Sequence, residues 1–185
     1  MLYLMRHGAP AIEGRLLGRT DDPVTESGIA ACVARARGLT FARILSSDLI
    51  RARDCAAAIA APLGLSPTSD PSWRELDFGD WDGLPPAAVD QAALLRFYDD
   101  PDAAPPPQGE RWSILQTRVA QALATMAPVP TLVVTHGGAI RAALAELCGF
   151  DQRQLWAFHL PYAALVSLRI WPGEARTVQI VGVST

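Results

Sequence analysis

The sequence predicts an α/β sandwich built on a largely parallel sheet, and two observations carry that expectation. Short apolar runs of strand length alternate with alanine-rich stretches of helical periodicity along nearly the whole chain. Two of those runs also end in matching histidine–glycine sequences, Arg6-His7-Gly8 and His136-Gly137-Gly138, and open parallel sheets place their ligands beyond the carboxyl ends of strands. With 185 residues, half of them apolar, the chain is the size of one domain, expected to span 1–185. A chain of that length buries roughly 70% of the surface its unfolded form exposes, so it needs no metal or disulfide staple.

The elements follow in order. Residues 1–5 form an apolar strand, and a loop rich in Gly and Asp covers 9–23. Thr25 is placed to cap a helix running to about residue 37, where Gly38 stops it. Residues 42–45 read as a second strand, and Ser46, Ser47 and Asp48 offer cap oxygens to a helix over 49–61 that Pro62 and Gly64 end. Residues 73–83 are irregular, aromatic and acidic. A helix is expected over 85–98, and a proline-rich surface connection over 99–109. Residues 110–126 have helical periodicity, with Ile114, Val119, Leu123 and Met126 near one face. Thr131–Thr135 is a buried strand, followed by a helix over 139–148. Two β-type runs, 163–171 and 176–183, close the chain around a Pro172-Gly173 turn signal.

Composition excludes several classes. The net charge is −3 and no basic face is implied, so nucleic acid is not an expected partner. Apolar runs such as 132–135 and 163–168 are far short of the ~20 residues that span a bilayer, and no basic flank precedes an apolar leader. The expectation is a cytoplasmic chain without a membrane partner, monomeric or homodimeric. Every one of the 16 basic residues is arginine, a planar fork suited to carboxylate or phosphate. Cys32, Cys55 and Cys148 lack metal-ligand spacing and read as reduced core residues.

The chemistry is expected at the two strand ends. One strand-end histidine is most often a loop residue with its hydrogen bonds satisfied, but two in matching context point to a shared site. His159, between Phe158 and Leu160, lacks that context and is expected to pack. A metal would need further Asp, Glu, His or Cys ligands at short spacing, and none flanks His7 or His136. Arg6 precedes His7 instead, and Arg51 lies in the first turn of a helix that follows a strand. Arginine forks and free helix N–H groups bind anions, and neighbouring cations favour a neutral, nucleophilic imidazole. The pattern points to phosphoryl chemistry with neither metal nor cofactor. Trp81 and Trp112, expected to be exposed, could line a substrate pocket or pack.

These residues resemble the histidine phosphatase superfamily, in its phosphoglycerate-mutase-like branch. Leu4-Met5-Arg6-His7-Gly8 is similar to the family signature, and four further segments match in order. They are the Gly18–Asp21 loop with the helix start at Thr25-Glu26-Ser27-Gly28, the Ser46–Ala52 arginine motif, the Arg74–Gly83 segment, and Val133–Gly138. The resemblance implies a three-layer α/β/α sandwich of phosphoglycerate-mutase-like type. It implies that His7 attacks phosphorus and that Arg6, Arg51 and His136, with Gly137 of the same motif, hold the phosphoryl oxygens. Glu75 would protonate the leaving oxygen and then assist water, with Arg19 and Thr20 at the substrate entrance.

Family mutases resemble longer chains with an insertion after the proton-donor segment; only residues 85–109 stand there, which favours hydrolysis. The loop, the Asp77-Phe78-Gly79-Asp80-Trp81 run and Gly109-Glu110 look most like alpha-ribazole phosphatases of cobalamin synthesis. The usual Gly-Gly-Glu-Ser reads Gln108-Gly109-Glu110-Arg111 here, and Ala9-Pro10 replaces the polar pair common after the first Arg-His-Gly. Both departures are expected to bear on leaving-group recognition. A broad-specificity small-molecule phosphatase, a mutase-type phosphotransferase, a phosphohistidine-protein phosphatase and a non-catalytic phosphate-binding module stay open as alternatives. The expected partner is a small phosphorylated substrate.

Overall fold

The structure is a computed structural model and describes residues 1–171 and 177–185. The strands and α-helices are β1 (Leu2–Arg6), α1 (Glu26–Ala36), β2 (Arg43–Ser46), α2 (Ile50–Ala60), β3 (Thr68–Ser69), α3 (Gln91–Asp99), α4 (Trp112–Ala124), β4 (Thr131–Thr135), α5 (Gly137–Cys148), α6 (Gln152–Trp156), β5 (Leu165–Trp171) and β6 (Thr177–Ser184). The strands form one sheet in the order β3-β2-β4-β1-β5-β6, parallel from β3 to β1 and antiparallel from β1 to β6. The fold is the expected mostly parallel α/β sandwich.

The layers follow from strand alternation. Successive side chains of a strand point to opposite faces, so a strand covered on both faces must be apolar throughout. Leu2 and Leu4 join Val133, Val166 and Leu168 in a core shared with α4 and α5. Tyr3 and Met5 join Ile44, Leu132 and Val134 in a second core, with Cys32 of α1 and Cys55 of α2. Arg6 and Thr135 are register partners at the carboxyl ends of β1 and β4. The residues that follow these two strands, His7 and His136, therefore emerge side by side.

Local signals set most boundaries. Thr25 caps α1, its side chain accepting from the Gly28 N–H at 3.0 Å. Gly28 lies so close to Gly8 that a Cβ on Gly8 would overlap the Gly28 backbone, and one on Gly28 would overlap the backbone of Ala9. The glycine after His7 thus admits the start of α1 rather than a ligand.

Several expectations need correction. The expected helix over 85–98 is a short 3-10 turn, Pro86–Ala88, and then α3, which Asp90 caps through the Ala93 N–H at 2.7 Å. Ser46, Ser47 and Asp48 do not cap α2; the Ile50 N–H is bound by Asp21 Oδ1 at 2.7 Å, and Asp48 is drawn away by Arg74, whose Nε lies 2.7 Å from it. In α4, Leu115 and not Ile114 faces the core, Ile114 being exposed. β3 and α6 were not anticipated. His159 is exposed and not packed, and Trp81 is buried against Phe97. Cys148 is only partly buried. The Pro172-Gly173 turn signal lies outside the described residues.

Candidate active site

The two histidine rings meet edge to face, with centroids 5.0 Å apart. The His7 N–H of the backbone donates to the Thr135 carbonyl at 2.8 Å, which fixes where its side chain starts. His7 Nδ1 lies 2.7 Å from its neighbour's carbonyl, Gly8 O. A carbonyl only accepts, so the proton is on Nδ1 and the lone pair is left on Nε2. Beneath this loop the Gly8 N–H donates to Cys55 Sγ at 3.4 Å, and the Cys32 thiol donates to the Arg6 carbonyl at 3.8 Å.

Cations surround the pair. Arg6 extends from the end of β1, donates through Nη1 to Leu160 O at 2.6 Å, and stacks over the Tyr162 ring at 4.3 Å. Arg51 is fully buried and ties down the 17–20 loop, Nη1 to Thr20 O at 2.7 Å and Nη2 to Leu17 O and Gly18 O at 2.8 and 3.1 Å. Burial first, then the Arg51 and Arg6 charges, push the His7 imidazole well below the usual histidine range. The same is true of His136, through burial, Arg51, His7, Arg6 and Arg118 in that order. Both rings are therefore neutral at pH 7.

Within the described residues, four buried polar atoms here have no hydrogen-bond partner: Arg6 Nε, Arg51 Nε, and both nitrogens of His136. A buried donor without a partner costs about 1–3 kcal/mol, so a cluster of them marks a place where a ligand completes the bonding. The donors are guanidinium and imidazole nitrogens, which take an oxyanion. No three His, Cys, Asp or Glu side chains are grouped as a metal site among the described residues.

Glu75 sits in an irregular stretch between two 3-10 turns, Pro71–Trp73 and Gly79–Trp81. Its carboxylate accepts from the Gly138 N–H in the first turn of α5, at 3.0 and 3.1 Å to its two oxygens, and from its own neighbour's N–H, Leu76, at 2.9 Å. Glu75, Gly137, Arg6 and His7 open onto one cleft of about 220 Å³, with Arg51 and His136 buried behind it. Its outer walls are Phe78, Phe97, Tyr98, Trp112, Trp156 and Tyr162, so Trp112 is a wall residue.

The structure thus brings His7, Arg6, Arg51, His136, Glu75 and Gly137 together. Arg19 and Thr20 stand off the cleft walls. The Arg19 guanidinium lies 3.2 Å from Asp77, the backbone N–H groups of Gly18, Arg19 and Thr20 all donate to Asp82, and Thr20 offers its carbonyl to Arg51. Glu110 is not among the residues lining the cleft and pairs with Arg118, Nε to Oε1 at 2.8 Å. Sequence reasoning missed Tyr162, Arg15 and Arg141, which line the cleft. Arg141 stacks over Trp156 at 4.7 Å and donates to Leu155 O and Phe158 O. The only signal available for it was its position one helical turn beyond Gly137.

A sheet whose adjacent strand ends present two neutral histidines within a ring of arginines defines a phosphoryl-transfer site of phosphatase type. The chain belongs to the histidine phosphatase superfamily, branch 1, whose family model matches residues 2–181. It is 33% identical over 160 residues to the "Probable phosphoglycerate mutase GpmB" of Yersinia pestis, covering 80% of this chain and 74% of that one. Among solved structures it is similar to mycobacterial glucosyl-3-phosphoglycerate phosphatase Rv2419c, with 29% identity, a TM-score of 0.80, and 90% and 88% of the two chains covered. A provisionally named alpha-ribazole-5'-P phosphatase of Escherichia coli K-12 is similar at 25% identity and a TM-score of 0.81, covering 97% of this chain and 94% of that one. No described helix is long and apolar enough to cross a membrane.

Proposed function

We propose that this chain, acting as one domain in the cytoplasm, is a phosphomonoesterase that works through a phosphohistidine on His7. Its proposed substrate is alpha-ribazole 5'-phosphate, in cobalamin synthesis. The observation that carries the chemistry is the set of buried, unpartnered nitrogens on Arg6, Arg51 and His136 around a His7 whose Nε2 lone pair is free.

The substrate phosphate takes the place of the missing partners, which holds phosphorus in line with Nε2. The Nε2–P bond forms as the P–O bond to the leaving group breaks, and the Glu75 carboxyl passes its proton to the departing oxygen. The arginines and His136 bind the three equatorial oxygens, where charge develops. Glu75 must hold a proton at that moment. In the second half, Glu75 takes a proton from water as its oxygen attacks phosphorus, the N–P bond breaks, and His7 returns to its neutral state. Arg19 and Thr20 enter through the loop that anchors Arg51.

The substrate reading is supported by the six aromatic walls, which suit a flat base on the leaving group, and by the likeness to the Escherichia coli protein. A broad-specificity phosphatase uses the same chemistry with a less selective wall. The test is phosphate release with EDTA present from para-nitrophenyl phosphate and alpha-ribazole 5'-phosphate, comparing wild type with His7→Ala. Rapid release from the ribazole ester, lost with the substitution, supports both parts. Release from the generic ester alone keeps the chemistry and rejects the substrate. Transfer to a second phosphate site in place of release would make the protein a mutase.

A further inference from the structure

The residue that carries the proposed proton is held by a segment with no regular structure, since residues 74–78 form neither helix nor strand. Backbone polar groups in a part-buried segment must find partners somewhere, and here several find them on two residues, Arg118 and Glu110. Arg118 of α4 donates through Nη1 to Ser72 O at 2.9 Å and to Arg74 O at 2.7 Å. Its Nη2 donates to the carbonyl of Glu75 itself at 2.9 Å. Glu110 accepts from the Asp77 N–H at 3.3 Å and donates its own backbone N–H to Asp77 O at 2.9 Å. The two side chains are joined as a fork, Nε to Oε1 and Nη2 to Oε2, both at 2.8 Å, with little of either exposed. A bidentate guanidinium–carboxylate pair fixes both partners in direction as well as distance.

We propose that Arg118, locked by Glu110, is a positioning residue for Glu75, setting the backbone from which its carboxylate reaches the N-terminus of α5. This rests on the reading of Glu75 as proton donor. The Gly109-Glu110 pair thereby acquires a role in the reaction that does not involve touching the leaving group. A lysine at 118 cannot span the carbonyls of Ser72, Arg74 and Glu75 while also forming the fork to Glu110.

The experiment separates positioning from general stability through the leaving group. A dinitrophenolate departs without a proton, whereas a phenolate or alkoxide needs one. The first-turnover burst of leaving-group release is measured by stopped flow with 2,4-dinitrophenyl phosphate and with phenyl phosphate. Arg118→Met and Glu110→Gln are expected to keep the dinitrophenolate burst within about threefold of wild type. Their phenol burst is expected to fall by roughly 10²-fold, the lower end of what positioned acid catalysis supplies. Arg118→Lys should lie between them and wild type. Equal losses on both esters, or no loss on either, overturn the proposal. Glu75→Gln serves as the reference. If it discriminates and the Arg118 and Glu110 variants do not, the positioning role fails alone; if Glu75→Gln does not discriminate, the proton-donor reading fails and this proposal with it. Should Arg118→Met not fold, Glu110→Gln, which keeps the shape of the pair, decides the matter.

Discussion

The carboxylate of Glu75 is bound by the backbone N–H of Gly138, 63 residues further along the chain, at 3.0 and 3.1 Å to its two oxygens. Gly138 lies in the first turn of α5, where unpaired N–H groups and the helix dipole favour a negative charge. The helix whose N-cap is His136 therefore holds the proposed acid, which lines the same cleft as His7.

A side chain at 138 should break that arrangement. A Cβ on Gly138 would overlap Glu75 Oε1 and lie 3.2 Å from its carboxyl carbon. Gly138→Ala is expected to lower kcat on alkyl phosphates by about 10²-fold, the order supplied by a positioned acid. Inhibition by orthophosphate should change little, because the arginines are untouched. Steady-state kinetics with the phosphate inhibition constant check this; equal losses in both would mean that the whole site has moved.

Arg51 has two duties, and lysine can perform neither fully. Its Nη atoms satisfy three carbonyls of the 17–20 loop, and its buried Nε has no protein partner among the described residues. Arg51→Lys should destabilise the fold by about 1–3 kcal/mol through buried acceptors left unpaired. Orthophosphate or vanadate should also bind at least about tenfold more weakly. Urea unfolding and ligand-induced thermal shifts measure the two losses separately.

Stability should depend on pH through the histidines. Burial and the Arg51 charge hold His7 and His136 well below 6.5, whereas in the unfolded chain they take a proton near that value. Below about pH 6.5 the unfolded state therefore binds more protons, so stability falls as pH drops and is level above that point. Each histidine contributes at most about 1.4 kcal/mol per pH unit within the window. Denaturant midpoints from pH 5 to 8 should show this slope, and His136→Gln should reduce it. A profile identical in the variant would contradict the burial argument.

Gln108 has a left-handed backbone, with φ of 58°, at an exposed turn where the family motif carries glycine. A non-glycine residue there costs roughly 1–2 kcal/mol, against about 0.5–1 for the extra chain entropy that glycine loses on folding. Gln108→Gly should therefore stabilise the protein by roughly 0.5–1 kcal/mol. For a chain of this size that raises Tm by about 1–4 °C, readable by calorimetry. Unchanged kinetics are expected, since Gln108 is not a cleft residue.

Much of the fold was legible because strand and helix periods are local. Thr131–Thr135 is an apolar run with both faces covered, and its bounds in the sequence and in the structure agree. The helix after Thr25 was legible from a cap oxygen and a terminal glycine. Where the reading slipped, the deciding partner came from elsewhere in the chain. Asp48 has the right chemistry to cap α2, but Arg74 holds it, and Asp21 supplies the cap from a distant loop. His159 between two apolar neighbours reads as a packing residue, yet the loop bearing it faces solvent.

The sequence by itself determined the repeated apolar run followed by histidine and glycine, the arginine beside the first histidine and Arg51 at a helix start, and the acidic segment that holds Glu75. Those are properties of residue type and spacing. Only the tertiary structure decided that β1 and β4 are neighbours in register, which turns two distant strand ends into one site. It also decided that Arg118 reaches the Glu75 carbonyl, and that Tyr162 lies under Arg6. The physical reason is that hydrogen bonds and ring contacts depend on direction in space. A charged side chain on a helix has the same local signal whether water or a carbonyl awaits it.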